Sequence, residues 1–273
     1  MPEVTYSREG RIARIRMSAP SRGNAFTPQM RREMNQALVQ YQQDAEAWMA
    51  VVSAEGKDFC VGSADTTPKT FKERRERGRL WAGGYVEAWK PIIGAIQGQC
   101  KGEGLALALS CDLRCADDTT RISVGGDLSD PDVVAAWLAP LVGLSSAFEL
   151  LWLGRTLSSR EAQGIGLVNR VILKGQPPEE AAEEGRLPML PMPSTITVPN
   201  GDVMTGAERF AQEMLQYAPI TRNFQKMIGL RSIGMPFHYA QTLEIGLNPY
   251  ASEDRVEGNR AFAENRRPVW RNR

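Results

Sequence analysis

The residues able to do chemistry are concentrated in CKGEGLALALSCDLRCADDTTRISVGGDLSDPD, which runs from Cys100 to Asp132. Its glycines and small residues are those of a loop feeding a buried helix, and its acids are Glu103, Asp127, Asp130 and Asp132. A carboxylate placed against a reacting group can take up or deliver a proton. Each acid also has a plainer use. Glu103 could turn to solvent or pair with a base such as Lys101, and an aspartate between Ser and Pro is ordinary turn chemistry, with Asp132 placed to cap VVAAWLAPLV.

Other chemistries are poorly supplied. Cys60, Cys100, Cys111 and Cys115 have neither the paired spacing of a zinc site nor the density of a secreted disulfide scaffold, and read as buried reduced thiols. The single histidine, His238, excludes His-rich metal sites and would have to carry any Ser-His-Asp triad alone. It follows Pro236 at a helix start, a surface or capping position. No metal site is expected.

The elements that must position these residues belong to a chain of 273 residues, 42% hydrophobic, enough to bury a full core. A formal charge of +1 gives no field of one sign to attract nucleic acid or a membrane. The first residues contain no apolar leader, and no window approaches the roughly 18 apolar residues of a spanning helix, so a cytoplasmic protein is expected.

VTYSREG and RIARIRMSA read as a hairpin turning at Glu-Gly, and TPQMRREMNQALVQYQQDA as a helix capped by Thr27 with Pro28 in its first turn. WMAVVSAEG is a buried strand, residues 66–89 a charged segment holding an exposed helix, KPIIGAIQGQC a further strand, and GEGLALALSCD a helix buried on most sides. The alternation of strand and helix specifies an α/β fold with largely parallel sheets. A segment rich in proline, glycine and acid at about 174–205 reads as an exposed loop or lid. The pattern from Ala207 onward is helical. We therefore expect a core over 1–206 and a smaller helical unit over 207–273.

Several blocks, in order, carry a resemblance. SAPSRGNAFTPQMRREMNQAL, VVSAEGKDFCVGSAD, KPIIGAIQGQCKGEGLALALSCDLRCA, LVGLSSAFELLWLGRTLSSREAQGIGLVNRVI and SEDRVEGNRAFAENRRP resemble the crotonase, or enoyl-CoA hydratase/isomerase, superfamily. The resemblance implies a spiral of ββα units with a C-terminal helical region for oligomerisation, assembling as a homotrimer or dimer of trimers. It implies an acyl-CoA thioester as ligand, with no cofactor beyond coenzyme A as part of the substrate. It also implies an oxyanion hole of two backbone N–H groups, here those of Ser63 and Glu103, stabilising a thioester enolate. Such donors contribute roughly 3 to 4 kcal/mol each.

Hydratases of this family hold water between two glutamates. By position from Cys111 and Asp112, the first falls on Ala106 and the second on Gly126, neither of which can move a proton. A register one residue longer puts Asp127 at the second place; counting back from Gly143 puts Asp132 where some non-hydratase members carry an aspartate. The expected function is thus enolate chemistry, as isomerase, C–C hydrolase or decarboxylase, with Asp127 the first choice of proton carrier and Glu103, Asp130 and Asp132 as further candidates. A catalytically silent acyl-CoA-binding protein and a tailoring enzyme on a carrier-protein thioester are the alternatives. Trp81, Tyr85, Trp89 and Trp137 could line an acyl pocket, or simply pack the core. Arg22, Lys57, Arg266 and Arg267 resemble positions that meet nucleotide phosphates.

Overall fold

The structure, a computed structural model, describes residues 2–64, 88–125, 131–175 and 194–273. Strands β1 (Val4–Glu9) and β2 (Ile12–Met17) form the expected hairpin, with Gly10 at φ 56° in its turn. Helix α1 (Pro28–Gln43) starts on Thr27, whose Oγ1 accepts from the Met30 N–H at 3.1 Å. β3 (Met49–Ala54), β4 (Ile92–Ile96) and β5 (Gln99–Lys101) follow, then α2 (Glu103–Ser110), β6 (Leu113–Asp117) and β7 (Arg121–Ser123). The chain continues through α3 (Pro131–Val142), α4 (Leu144–Leu153), β8 (Leu157–Ser158), α5 (Ser159–Gly164), β9 (Arg170–Lys174) and β10 (Thr195–Val198). It ends with α6 (Val203–Leu215), α7 (Pro219–Arg231), α8 (Phe237–Ala240) and α9 (Glu253–Ala263).

A seven-stranded sheet in the order β1-β2-β3-β4-β6-β9-β10 is parallel throughout except for the first hairpin, and β5-β7-β8 form a second sheet of three strands. This is the α/β architecture with a largely parallel sheet that the alternation of strand and helix specifies. In β3 the period of two sorts side chains to two cores: Ala50 and Val52 face the cluster containing α1 and α2, Met49 and Val51 the cluster containing α6. Burial on both faces explains why the strand reads as an unbroken apolar run.

Two features depart from the reading of sequence alone. The segment read as a loop or lid contributes β10, whose Ile196 and Val198 are buried while Thr195 and Thr197 are half-buried, a short alternation that the surrounding prolines obscure. The expected start of the helical unit at Ala207 falls inside α6, whose Ala207, Phe210 and Ala211 pack on β3, β4 and β6. The charged segment's expected helix lies outside the described residues, as do residues 176–193 of the proline-rich stretch. Among the described residues no helix is long and apolar enough to cross a membrane.

Candidate functional site

The site assembles where three segments meet: the turn before α1, the loop after β3, and the start of α2. Asn24 joins the first two. Buried and held at φ 54°, it donates from Nδ2 to the carbonyls of Glu55 (2.9 Å) and Asp58 (2.8 Å), while Oδ1 accepts from the Ala19 N–H at 2.8 Å. The next residues then pair as in a parallel sheet. Phe26 donates to the Gly62 carbonyl and accepts from the Ala64 N–H, both at 2.8 Å, so the N–H and carbonyl of Ser63 between them face away from this pairing.

Helix α2 meets the same loop because Gly104 permits it. A Cβ at that position would lie 2.6 Å from both the Cβ and the carbonyl oxygen of Cys60, so a larger residue would push the helix off the loop. Leu105, Leu107 and Leu109 are buried, which stabilises the placement of α2 by roughly 1.5–3 kcal/mol each. At its other end Arg114 donates to the Ala108 and Cys111 carbonyls. The first N–H groups of a helix have no partner within it, and here they begin at Glu103.

The Glu103 side chain does not turn to solvent, and the base it meets is Arg31 of α1. Arg31 Nε lies 2.9 Å from Glu103 Oε1 and Arg31 Nη2 2.7 Å from Oε2, a two-pronged pair with side chains only 5% and 6% exposed. The same Nη2 donates to Ser63 Oγ at 3.0 Å. One guanidinium thus ties together the two residues proposed as oxyanion donors and sets a positive charge against the carboxylate. The sequence carried a signal for this. Met34 and Leu38 are buried at three and seven residues beyond Arg31, the helical spacing of a single face.

The remaining candidates are dispersed. Ala106 is buried one turn along α2, with no group able to carry a proton. Gly126, Asp127 and Asp130 lie outside the described residues, as do Trp81 and Tyr85. Asp132 stands in the first turn of α3, behind Pro131, and its side chain is outside the described set. Trp89 and Trp137 come together in one cavity of about 670 Å³, with Leu38, Val52 and Leu107 on its apolar wall and α7 opposite.

Of the basic residues, Arg22 pairs with Glu3 at 2.6 Å, and Arg266 with Glu257 at 2.6 Å and Glu264 at 2.6 Å. Arg267 is exposed, and Lys57 lines a second cavity, of about 880 Å³, beside Arg14 and Arg16. All four cysteines are buried and free, and burial pushes the thiols of Cys60, Cys111 and Cys115 up to about 12, which keeps them protonated and unreactive. His238 is exposed on α8 and packs on Tyr239. Among the described residues no group of three or more His, Cys, Asp or Glu could hold a metal ion.

Comparison with known proteins agrees with this architecture. The (E)-benzylidenesuccinyl-CoA hydratase of Thauera aromatica is 26% identical over 98% of each chain, and the carnitinyl-CoA dehydratase of Citrobacter koseri is 28% identical over 98% of each. The crystal structure of enoyl-CoA hydratase from Bacillus anthracis superposes with a TM-score of 0.81 at 21% identity, over 99% of this chain and 100% of that one, a likeness of fold. The sequence profile described as Enoyl-CoA hydratase/isomerase matches residues 7–186. With that match spanning most of the parallel sheet and both loops of the site, the chain belongs to the enoyl-CoA hydratase/isomerase family of acyl-CoA-processing enzymes.

Proposed function

We propose that this enzyme stabilises a thioester enolate between the backbone N–H groups of Ser63 and Glu103, and that it works as an isomerase, C–C hydrolase or decarboxylase instead of adding water to an enoyl-CoA. The observation that carries the reading is the Arg31 bridge between Ser63 Oγ and the Glu103 carboxylate. A bare carboxylate beside a developing enolate would oppose it, whereas one held in a guanidinium pair leaves the adjacent N–H dipole to act. Arg31 is then a positioning residue. It fixes both donors and neutralises the acid next to them.

Hydration requires a proton removed from water and another delivered to carbon. In this reading the first of the two positions that would do so is the methyl group of Ala106, and enolate reactions that need one carboxylate at most remain. Asp127 is proposed as that carboxylate, with Asp130 and Asp132 as alternatives on the same segment. The cavity between Trp89 and Trp137 is proposed to receive the acyl group. Lys57 and Arg267 are better placed to meet the nucleotide phosphates than Arg22 and Arg266, which would first have to leave their carboxylates. Assembly as a homotrimer or dimer of trimers is proposed for the exposed apolar residues of the C-terminal region, Phe237, Tyr239 and Phe262.

The test is hydration itself. Crotonyl-CoA and longer enoyl-CoAs incubated with the enzyme in oxygen-18 water should give no labelled β-hydroxyacyl-CoA by mass spectrometry. Labelled product at turnover rates on the order of 10 per second, ordinary for an enzyme, would overturn the reading.

A further inference from the structure

The cavity between Trp89 and Trp137 lies at a definite distance from the proposed oxyanion donors. On α1, Arg31 and Leu38 share one face of the helix, and on α2 Glu103, Leu107 and Ser110 do the same. Arg31 meets Glu103 at one end of this pair of helices, while Leu38, Leu107 and Ser110 line the cavity at the other. Both helices give the same measure. At about 1.5 Å per residue, Arg31 to Leu38 and Glu103 to Ser110 each span roughly 10 Å. Ala106 stands between the two ends of α2, and its methyl group takes little of the route.

The wall opposite is α7, and Gly229 is the unexpected residue in it. Gln225, Lys226, Gly229 and Leu230 line the cavity at the spacing of a single helix face. Lys226 fixes the depth at which α7 crosses. Its Nζ lies 2.7 Å from Oδ2 of Asp112, just past the end of α2, and donates to the Lys90 carbonyl at 2.9 Å. Gly229, one turn further on, therefore faces the far end of the cavity. Glycine is among the least favourable residues in a helix interior. Elsewhere packing demands it: a Cβ on Gly206 of α6 would lie 2.6 Å from Ile172, and one on Gly258 of α9 would lie 3.2 Å from Trp270. Gly229 is exposed, and a Cβ there would have no neighbour within 4 Å. What the glycine preserves is open space.

The polar groups at this end are satisfied by one another. Asp112 Oδ2 accepts from Lys226 and from the Ile92 N–H, and Ser110 Oγ donates to the Leu107 carbonyl. Trp89, Trp137, Leu141 and Leu230 complete an apolar lining. We propose that the enzyme acts on medium-chain acyl-CoAs with an apolar end, about eight to ten carbons in reach, and that Gly229 is the residue that admits the longer ones. The inference rests on the reading that this cavity receives the acyl group. An extended chain advances roughly 1.2 Å per bond, so about eight bonds lead from the Glu103 N–H to the level of Ser110. A four-carbon acyl group stops short of Leu107.

Calorimetric binding of butyryl-, hexanoyl-, octanoyl- and decanoyl-CoA to the full-length enzyme, with free coenzyme A alongside, reads this range. Each methylene taken out of water is worth roughly a factor of three to four, so decanoyl-CoA should bind at least about thirtyfold more tightly than butyryl-CoA. Gly229→Leu fills the open space and should reduce that ratio by about tenfold or more. The same variant should melt about 2 °C higher than the parent without ligand, because leucine favours the helix. A ratio near one in the parent, or a ratio that survives in Gly229→Leu, would overturn the proposal. A lower melting temperature in Gly229→Leu would also overturn it, by showing that the space beside Gly229 is occupied within the protein. Butyryl-CoA and decanoyl-CoA binding equally well would sink this inference alone, whereas failure of every acyl-CoA to bind would sink the proposed function with it.

Discussion

At the scale of single residues, the account turns on Arg31 and Glu103. A buried ion pair contributes little net stability compared with apolar residues, but removal of one partner leaves the other charged and unsatisfied at a cost of about 3–5 kcal/mol. Arg31→Met should therefore destabilise the protein by about that much in urea denaturation. Adding Glu103→Gln to it should restore most of the loss, because the stranded charge is gone. Losses that simply add in the double variant would mean the pair is not coupled. The sequence made Glu103 conspicuous and left Arg31 unnoticed, since Arg31 and Arg32 stand side by side and only the phase of α1 tells which one faces inward. Asn24 had still less signal. Its three hydrogen bonds go to backbone groups of loops that no periodicity brings together.

At the scale of elements, local rules were readable wherever the neighbours did not matter. The hairpin, the Thr27 cap with Pro28 behind it, and the buried helix α2 all follow from spacing and capping chemistry. β10 was hidden because four residues between prolines and glycines look like loop until β9 is beside them. KPIIGAIQGQC divides between two sheets at Gly98, where a Cβ would lie 2.1 Å from the Lys57 carbonyl oxygen, a contact invisible in sequence. The last element makes a prediction about acid. Arg266 and then the Val269 N–H draw the Glu257 carboxyl from 4.5 down to about 2. A carboxyl lowered on folding stabilises the fold above its unfolded pKa and loses that contribution on acidification. The docking of residues 266–269 on α9 should thus hold above pH 4.5 and weaken between 4.5 and about 2. Hydrogen exchange of the Val269 amide across that range measures it; protection independent of pH would contradict the assignment.

At the scale of the whole molecule, alternation of strand and helix was enough for an α/β fold, but strand order was not. The fold family came from the resemblance, which the profile match and the superposition bear out, and the strand order came from the structure. The consequence of this topology is that a turn before α1, a loop after β3 and the start of α2, distant in sequence, meet at one guanidinium. Residues whose partners lie across that junction could not be read from local pattern, and the acids after Gly125 depend on a register that pattern leaves open. Enolate formation is the central claim, and the most direct measurement is exchange of the α-proton of bound acyl-CoA esters in D2O, followed by mass spectrometry across saturated, β-keto and cyclic acyl groups. The account predicts enzyme-dependent deuteration of at least one class, lost in Ser63→Pro, which removes one of the two N–H donors. Tight binding with no deuteration and no product on any ester would contradict it and leave a protein that holds acyl-CoA without transforming it.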